Sequence, residues 1–198
     1  VETMRNTSAQ IRERALKAID ATDFYPARGR NRIRSMVETR PDWLISRQRA
    51  WGAPLAMFVD KATGVPLNDP QVNAHIIKSI AEEGAAAWFT RPASDFLGNR
   101  YDPEAYEKVE DILDVCFDSA ATHAYTLENR EHTKWPADVY LEGADQHRGW
   151  FQSSLLESCA TRGRAPYDAV VTHGFTMAED GRKMSKSLNN SIEPQDVI

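Results

Sequence analysis

At 198 residues, 41% hydrophobic and 27% charged, the chain has the composition of a globular protein long enough to bury a core. Its net charge of −5 excludes a uniformly basic nucleic-acid surface while leaving room for a local basic patch, and no apolar run reaches the length of a membrane span. The two cysteines, Cys116 and Cys159, lack the close pairing of a zinc site and fit a reducing, cytoplasmic setting. Val1 in place of a methionine, and a stop soon after Pro194 opens a new helix, read as the marks of a piece of a longer protein.

In chain order, Thr7 or Ser8 is expected to cap a helix carrying Ile11, Ala15, Ala18 and Ile19 on one face. Arg28, Arg30, Arg32, Arg34 and Arg40 then crowd around Ile33, Met36 and Val37, with Arg47 just beyond. An exposed basic helix is the simpler reading of Arg28–Arg40, contact with a phosphate backbone the sharper one. Leu55–Val59 reads as a short strand closed by a turn at Thr63-Gly64. Val72, Ile76, Ile77 and Ile80 give Val72–Glu83 helical spacing, ended by Gly84. Pro103–Ala121 is expected to be helical at first, its apolar residues Val109, Ile112, Leu113 and Val115 giving way to Phe117-Asp118-Ser119.

The last seventy or so residues are the clearest. Val139–Leu141 reads as a short buried strand, followed by Glu142-Gly143 and a helix over Asp145–Thr161 with Leu155, Leu156 and Cys159 on its apolar face. Gly163 and Pro166 end that helix, and an apparent strand over Asp168–Met177 follows, its core at Ala169–Thr172. Strand, helix, strand predicts a parallel pair with a right-handed crossover. Ligands in such sheets collect at the carboxyl ends of the strands, here Glu142–Gln146 and His173–Phe175. Beyond the second end, after a turn at Asp180-Gly181, comes Lys183-Met184-Ser185-Lys186-Ser187. Two lysines three apart on a loop beside a sheet edge can grip a polyphosphate. No glycine fingerprint of a dinucleotide enzyme or a P-loop is present.

Three stretches carry a resemblance: Leu141-Glu142-Gly143-Ala144-Asp145-Gln146-His147-Arg148-Gly149-Trp150-Phe151, Thr172-His173-Gly174-Phe175, and Gly181-Arg182-Lys183-Met184-Ser185-Lys186-Ser187. With Asp42–Pro54 and Asp114–Ser119 upstream, they closely resemble the isoleucyl-tRNA synthetases among the class I aminoacyl-tRNA synthetases, over nearly the whole chain. The resemblance implies an α/β fold, the C-terminal half of a Rossmann-like nucleotide-binding domain with a parallel sheet. Residues 1–40 would be the trailing edge of an editing insertion with connecting helices, and 41–198 the catalytic half. Within the latter, a small α+β insertion would run from about Pro54 to Trp135, and 136–198 would hold the strand–helix–strand unit and the KMSKS loop.

The implied reaction joins ATP and L-isoleucine into isoleucyl-adenylate, then moves the acyl group to tRNA(Ile). Lys183 and Lys186, from a loop that includes Met184 and Ser185 and closes over ATP, would neutralise the leaving pyrophosphate, with Mg2+ sharing the load. Glu142 and Gly143 would face the ribose and aminoacyl portion, with Asp145 and Gln146 beside them. His173, Gly174 and Phe175 would form the adenine-side wall, and Trp51 and Trp150 the walls around the isoleucine side chain. Taken alone, Glu142 also reads as a surface carboxylate, His173 as a structural histidine, and each tryptophan, Trp43 above all, as ordinary core. No zinc is expected in this segment, and the implied parent is a cytoplasmic monomer.

Departures from the family pattern are also visible. Its His-Ile-Gly-His signature is not in the chain, so the piece by itself is expected to be inactive. Cys116 replaces a usual tryptophan, which leaves either a void or a compensating neighbour. Ala120 replaces a usual glycine, and Asn189 stands where glycine is usual, a mild change because asparagine tolerates positive φ. A valyl enzyme of the same class and a non-catalytic nucleotide-binding module are the competing readings.

Overall fold

The computed structural model describes residues 2–198, without the side chains of residues 2–9 and 196. Its elements begin with α1 (Glu2–Asp20), β1 (Asp23–Tyr25), α2 (Arg28–Glu38), β2 (Ser46–Arg47) and β3 (Phe58–Asp60). Next come α3 (Pro70–Glu83), α4 (Ala86–Thr90), α5 (Ala93–Leu97), β4 (Tyr106–Lys108), β5 (Ile112–Leu113) and α6 (Val115–Ala120). The chain closes with β6 (Ala137–Gly143), α7 (Trp150–Thr161) and β7 (Tyr167–His173). Two compact units emerge, one from Val1–Asp42 with Ser119–Ile198, the other from Trp43–Asp118.

The first unit is built on a parallel sheet in the order β1-β7-β6, with Gly143 paired to His173 at its carboxyl end. The strand–helix–strand reading of the last seventy residues therefore holds. The helix starts later than expected, because a 3-10 turn over Ala144–His147 precedes α7. Gly163, at φ +77, ends it as expected. The second strand stops at His173, short of Met177, which instead bridges Lys183. β6 is not the buried strand expected. It lies at the edge of the sheet, with Tyr140 turned inward and Val139 and Leu141 48% and 59% exposed.

Ala15, Ile19, Ile33, Val37, Phe151, Leu155, Cys159 and Val170 form this unit's core, so α1 and α2 bury apolar stripes with α7 and β7. Residues 1–40, read from the sequence as connecting helices, thus supply a strand and two helices to the same core. The helix α1 is already under way at Thr7 and Ser8, so neither starts it; their side chains lie outside the described residues.

The second unit spans Trp43–Asp118 rather than about 54–135. Residues 119–135 belong to the first unit: the Ser154 hydroxyl donates to the Ala120 carbonyl at 3.0 Å, and Arg162 grips Glu128 through two bonds at 2.8 and 2.7 Å. Ala120 is fully buried inside α6, where its methyl group needs no glycine-like backbone.

In the second unit α3 forms much as its pattern predicts. Asp69 caps it by accepting from the N–H groups of Gln71 and Val72, Pro70 opens it, and Gly84 at φ +83 closes it. Its Val72 and Ile76 pack on an aromatic cluster in which the Trp88 ring lies 5.2 Å from Phe58 and 5.1 Å from Phe96.

Two expectations fail here. The strand predicted at Leu55–Val59 lies at Phe58–Asp60, antiparallel to β4. The helix predicted after Pro103 is only a single 3-10 turn, because the following backbone is spoken for elsewhere. Val109 N–H donates to the Met57 carbonyl, its own carbonyl accepts from the Trp88 indole, and Leu113 N–H reaches the Ala53 carbonyl.

Asp114 ties the start of this unit to its end. It accepts from the Trp43 indole at 3.3 Å, from the Cys116 N–H at 2.8 Å and from Arg47 through a short ion pair. Trp43 also leans on Phe117, so it is a packing residue, but half-buried rather than the core tryptophan expected. Burial would raise the Asp114 carboxyl, but the Cys116 N–H, the Trp43 indole and Arg47 outweigh it and hold the carboxyl below its ordinary value. A depressed folded value gives stability that is present above the unfolded value and lost as pH falls through the folded one. Asp114→Asn is therefore expected to cost about 2 kcal/mol at pH 7. In thermal unfolding, the gap in Tm from the parent should close as pH falls toward 3.

The cysteines differ in the same physical way. Cys159 is fully buried, which pushes its thiol up to about 12, whereas Cys116 is exposed. A thiol reagent such as DTNB should titrate one cysteine in the native chain and two in denaturant. A prompt second equivalent under native conditions would show that the core opens.

Candidate functional site

Parallel pairing of β6 with β7 brings Glu142-Gly143 beside His173-Gly174, so the two expected ligand-binding ends meet at one edge of the sheet. Gly143 leaves room for its neighbour: a β-carbon there would stand 2.5 Å from the Asp145 carboxylate, which would have to move aside. The Glu142 carboxylate is exposed and, among the described residues, holds only the Gly143 N–H, at 3.4 Å. It is therefore available to a ligand, whereas its neighbours are partly committed.

Asp145 accepts from the Gln146 amide at 3.0 Å, and the Gln146 carbonyl oxygen accepts the Trp150 N–H at 3.0 Å. Gln146 thus satisfies one of the otherwise unpaired N–H groups at the start of α7. Gly149 makes room for it, since a β-carbon there would meet the Gln146 oxygen at 2.5 Å. Trp150 lies flat on Tyr140, rings 4.1 Å apart and 5° from parallel, and its indole donates to the Ser119 carbonyl at 3.0 Å. It is half-buried.

His173 is exposed and shares Nδ1 with the Gly174 carbonyl at 2.7 Å, which leaves its far edge open. The sequence motif also contains a histidine that plays no such part. His147, 2% exposed, donates from Nδ1 to the Ala144 carbonyl and packs edge-on against Phe151, while its Nε2 lies against Gly29.

Beyond Phe175 the chain forms a small hairpin. Met184 N–H donates to the Thr176 carbonyl, Ala178 N–H to the Arg182 carbonyl, and Asp180 with Gly181 makes the turn. Lys183 lies 3.6 Å from the centre of the Phe175 ring, a close cation–π contact between two residues assigned to different parts of the site. Asn190 braces the loop by accepting the Ser185 N–H and donating to the Lys183 carbonyl. Asn189 adopts φ 49°, the left-handed conformation anticipated for it. The Lys186 side chain is exposed and has no hydrogen bond or ion pair among the described residues. Met184 and Ser185, between the two lysines in the chain, are half-buried.

Trp51 belongs to the second unit. It is 90% exposed on the rim of a cleft that Arg47, Gly52, Ile112, Asp114 and Asp118 also line. Gly52, at φ +157, packs so tightly on Ile112 that a β-carbon would come within 2.4 Å of it. Asp118 is raised above its ordinary value by burial and by the neighbouring Asp114 charge. Sequence reasoning did not single out the Arg47–Asp114 pair, although both residues lie inside quoted motifs. Among the described residues no group of three or more His, Cys, Asp or Glu side chains is placed to hold a metal ion, and no helix is long and apolar enough to cross a membrane.

Residues 4–198 match the family model of tRNA synthetases class I (I, L, M and V). The isoleucine–tRNA ligase of Caulobacter vibrioides is 71% identical over 187 residues, 94% of this chain and 19% of that protein. Those of Mesorhizobium japonicum and Pelagibacter ubique are 66% and 55% identical over 95% of the chain, which covers 19% and 21% of their lengths. The chain thus spans about a fifth of the length of the curated relatives it matches. Among solved structures, a leucyl enzyme of Agrobacterium radiobacter, crystallised as a ternary complex with tRNA and LeuAMS, aligns with a TM-score of 0.51 at 19% identity, over 79% of this chain and 22% of that one. That likeness concerns the fold alone, the parallel α/β arrangement already described. The chain belongs to the class I tRNA synthetases.

Proposed function

We propose that this chain is part of an isoleucine–tRNA ligase and forms one side of its adenylate-forming site. The observation that carries the reading is the 71% identity to a protein of that name, over a span that includes both strand ends and the lysine loop. L-isoleucine, ATP as its magnesium complex, and tRNA(Ile) are the proposed substrates.

The chemistry asks little of a base. An amino acid's carboxylate is already ionised at neutral pH and attacks the α-phosphorus of ATP directly. The acyl–phosphate bond forms as the bond to the β-phosphate breaks, and pyrophosphate carries the charge away. In the second step a tRNA hydroxyl attacks the acyl carbon and AMP leaves. The demand is for fixed cations where the phosphate charge develops.

Lys183 and Lys186 are assigned that role. Lys183 rests on Phe175, a contact worth about 0.5–1 kcal/mol at an exposed site, which a phosphate's full charge can overcome. A nucleotide that seats its adenine at His173, Gly174 and Phe175 would therefore release this lysine toward the phosphates. Met184 and Ser185 hold the loop that carries both lysines. Glu142 is assigned to the ribose hydroxyls and the Gly143 backbone to the aminoacyl portion. Asp145 and Gln146 keep that turn rigid through the bond to Trp150. Trp150 and, from the second unit, Trp51 are assigned to the isoleucine side chain on the resemblance. Residues 1–40 are assigned to the return of the chain from an editing insertion.

The test is ATP–pyrophosphate exchange by the full-length protein. Exchange should depend on isoleucine, with valine much the poorer substrate, and the 198-residue chain alone should show little. Lys183→Ala and Lys186→Ala should each lower the rate about 100-fold, by analogy with removal of a single transition-state donor, with isoleucine binding unchanged. Exchange that ignores both lysines, or runs faster with valine, overturns the assignment.

A further inference from the structure

We propose that Arg28, Arg32 and Arg148 form a track for the phosphates of a single-stranded RNA end, leading it to the edge of the adenylate site. This rests on the tRNA ligase reading above and adds a surface to it.

The observation is a segregation of charge along one helix. On one side of α2, Arg34 is neutralised by Asp20 at 2.6 Å and Glu38 at 3.1 Å. Arg30 donates to the Thr22 carbonyl and lies over the Phe24 ring. The side chains of Arg28 and Arg32 are exposed and make no hydrogen bond or ion pair among the described residues. Both line a cleft of about 370 Å³ whose other wall is Thr172-His173-Gly174 at the end of β7.

Arg32 also lines a second cleft, of about 600 Å³, with Arg40, Gln152 and Arg148. Arg40 is held there by Gln152, while Arg148 is exposed and unpaired among the described residues. Neither cleft is lined by a single Asp or Glu, in a chain whose net charge is −5. Two clefts joined at one guanidinium make an elongated cationic surface suited to successive phosphates. Arginine's planar fork fits each of them. One end of the surface is the His173-Gly174 rim, where the second reaction step needs the RNA's terminal hydroxyl. Nothing along it reads base edges, so the contact is to the backbone and sensitive to salt.

The experiment measures fluorescence anisotropy of a 5′-fluorescein 12-nucleotide single-stranded RNA of mixed sequence on the 198-residue chain, from 25 to 200 mM KCl. For single strands each phosphate neutralised contributes about 0.7 to the slope of log K against log salt. Arg28→Gln/Arg32→Gln should weaken binding at least tenfold at low salt and flatten the slope by about 1.4. Arg34→Gln, on the paired side, should change neither, and Arg28→Lys/Arg32→Lys should keep the slope. Circular dichroism checks the fold. If the double glutamine variant does not fold, Arg148→Gln carries the same test with a flattening of about 0.7.

An unchanged slope, or an equal effect from Arg34→Gln, overturns the track. Displacement of the RNA by ATP alone, as complete as by unlabelled RNA, overturns it too, since the cleft would then serve the nucleotide. Isoleucine-dependent exchange by the full-length protein tests the ligase reading separately, so either can fail alone.

Discussion

Everything at the candidate site depends on the parallel register of β6 and β7. Because Gly143 pairs with His173, two loops distant in sequence leave the sheet side by side, and the hairpin that carries the lysines follows directly from the second. An offset of one residue would turn His173 and Glu142 to the opposite faces of their strands. Several groups hold that register from within the core. Tyr140 stacks on Trp150 and shares a hydrogen bond with Ser154, whose hydroxyl in turn reaches the Ala120 carbonyl. The sheet edge and the start of α7 are therefore one packed object.

Glycine at two positions leaves room for the side chains that close that object. Gly143 lets Asp145 fold back over the strand end, and Gly149 lets Gln146 reach the first N–H of the helix. Asp145 and Gln146 thus have structural duties that the motif alone did not disclose. Among the described residues the Glu142 carboxylate holds one weak bond, which makes it a group at this turn well placed to meet a polar ligand. The motif is conservative in space because most of its members support one another, and only a minority face outward.

The parts of this fold that were legible in the sequence are those whose partners lie close along the chain. The β6–α7–β7 unit announced itself through Gly163, Pro166 and the apolar face of Leu155 and Cys159. The helix α3 did so through Pro70, the spacing of its isoleucines and Gly84. The stretch from Tyr106 to Leu113 misled because Val109, Ile112 and Leu113 have helical spacing. The backbone partners of Val109 and Leu113, Met57 and Ala53, lie 52 and 60 residues away, and no local pattern records them. Long-range pairing overrode local periodicity there, as it commonly does for short strands. Exposure was also hidden. Val139 and Leu141 look like core residues in the sequence, yet the alternation of a pleated strand turns them away from Tyr140. Trp51 has the composition of a pocket wall, but its chain is fixed by Gly52 against Ile112 and the indole stands on a rim.

Charge placement follows the same logic of local supply and distant demand. Arg34, Arg162, Arg164 and Arg182 each have a carboxylate within hydrogen-bonding reach, and pairs of that kind at the surface contribute little beyond solubility. Lys183 has no carboxylate and settles on the Phe175 ring, while Arg28, Arg32 and Lys186 find nothing comparable among the described residues. Twenty-nine acidic residues are available in the chain, so cations left without them at one end of the sheet are a matter of position rather than of scarcity. Such an arrangement costs the folded chain some self-repulsion and returns nothing until an anion arrives. A site that must hold a triphosphate briefly and then release its product benefits from cations that are weakly engaged beforehand. A ring contact of about 0.5–1 kcal/mol, unlike a carboxylate pair, is readily given up to a phosphate.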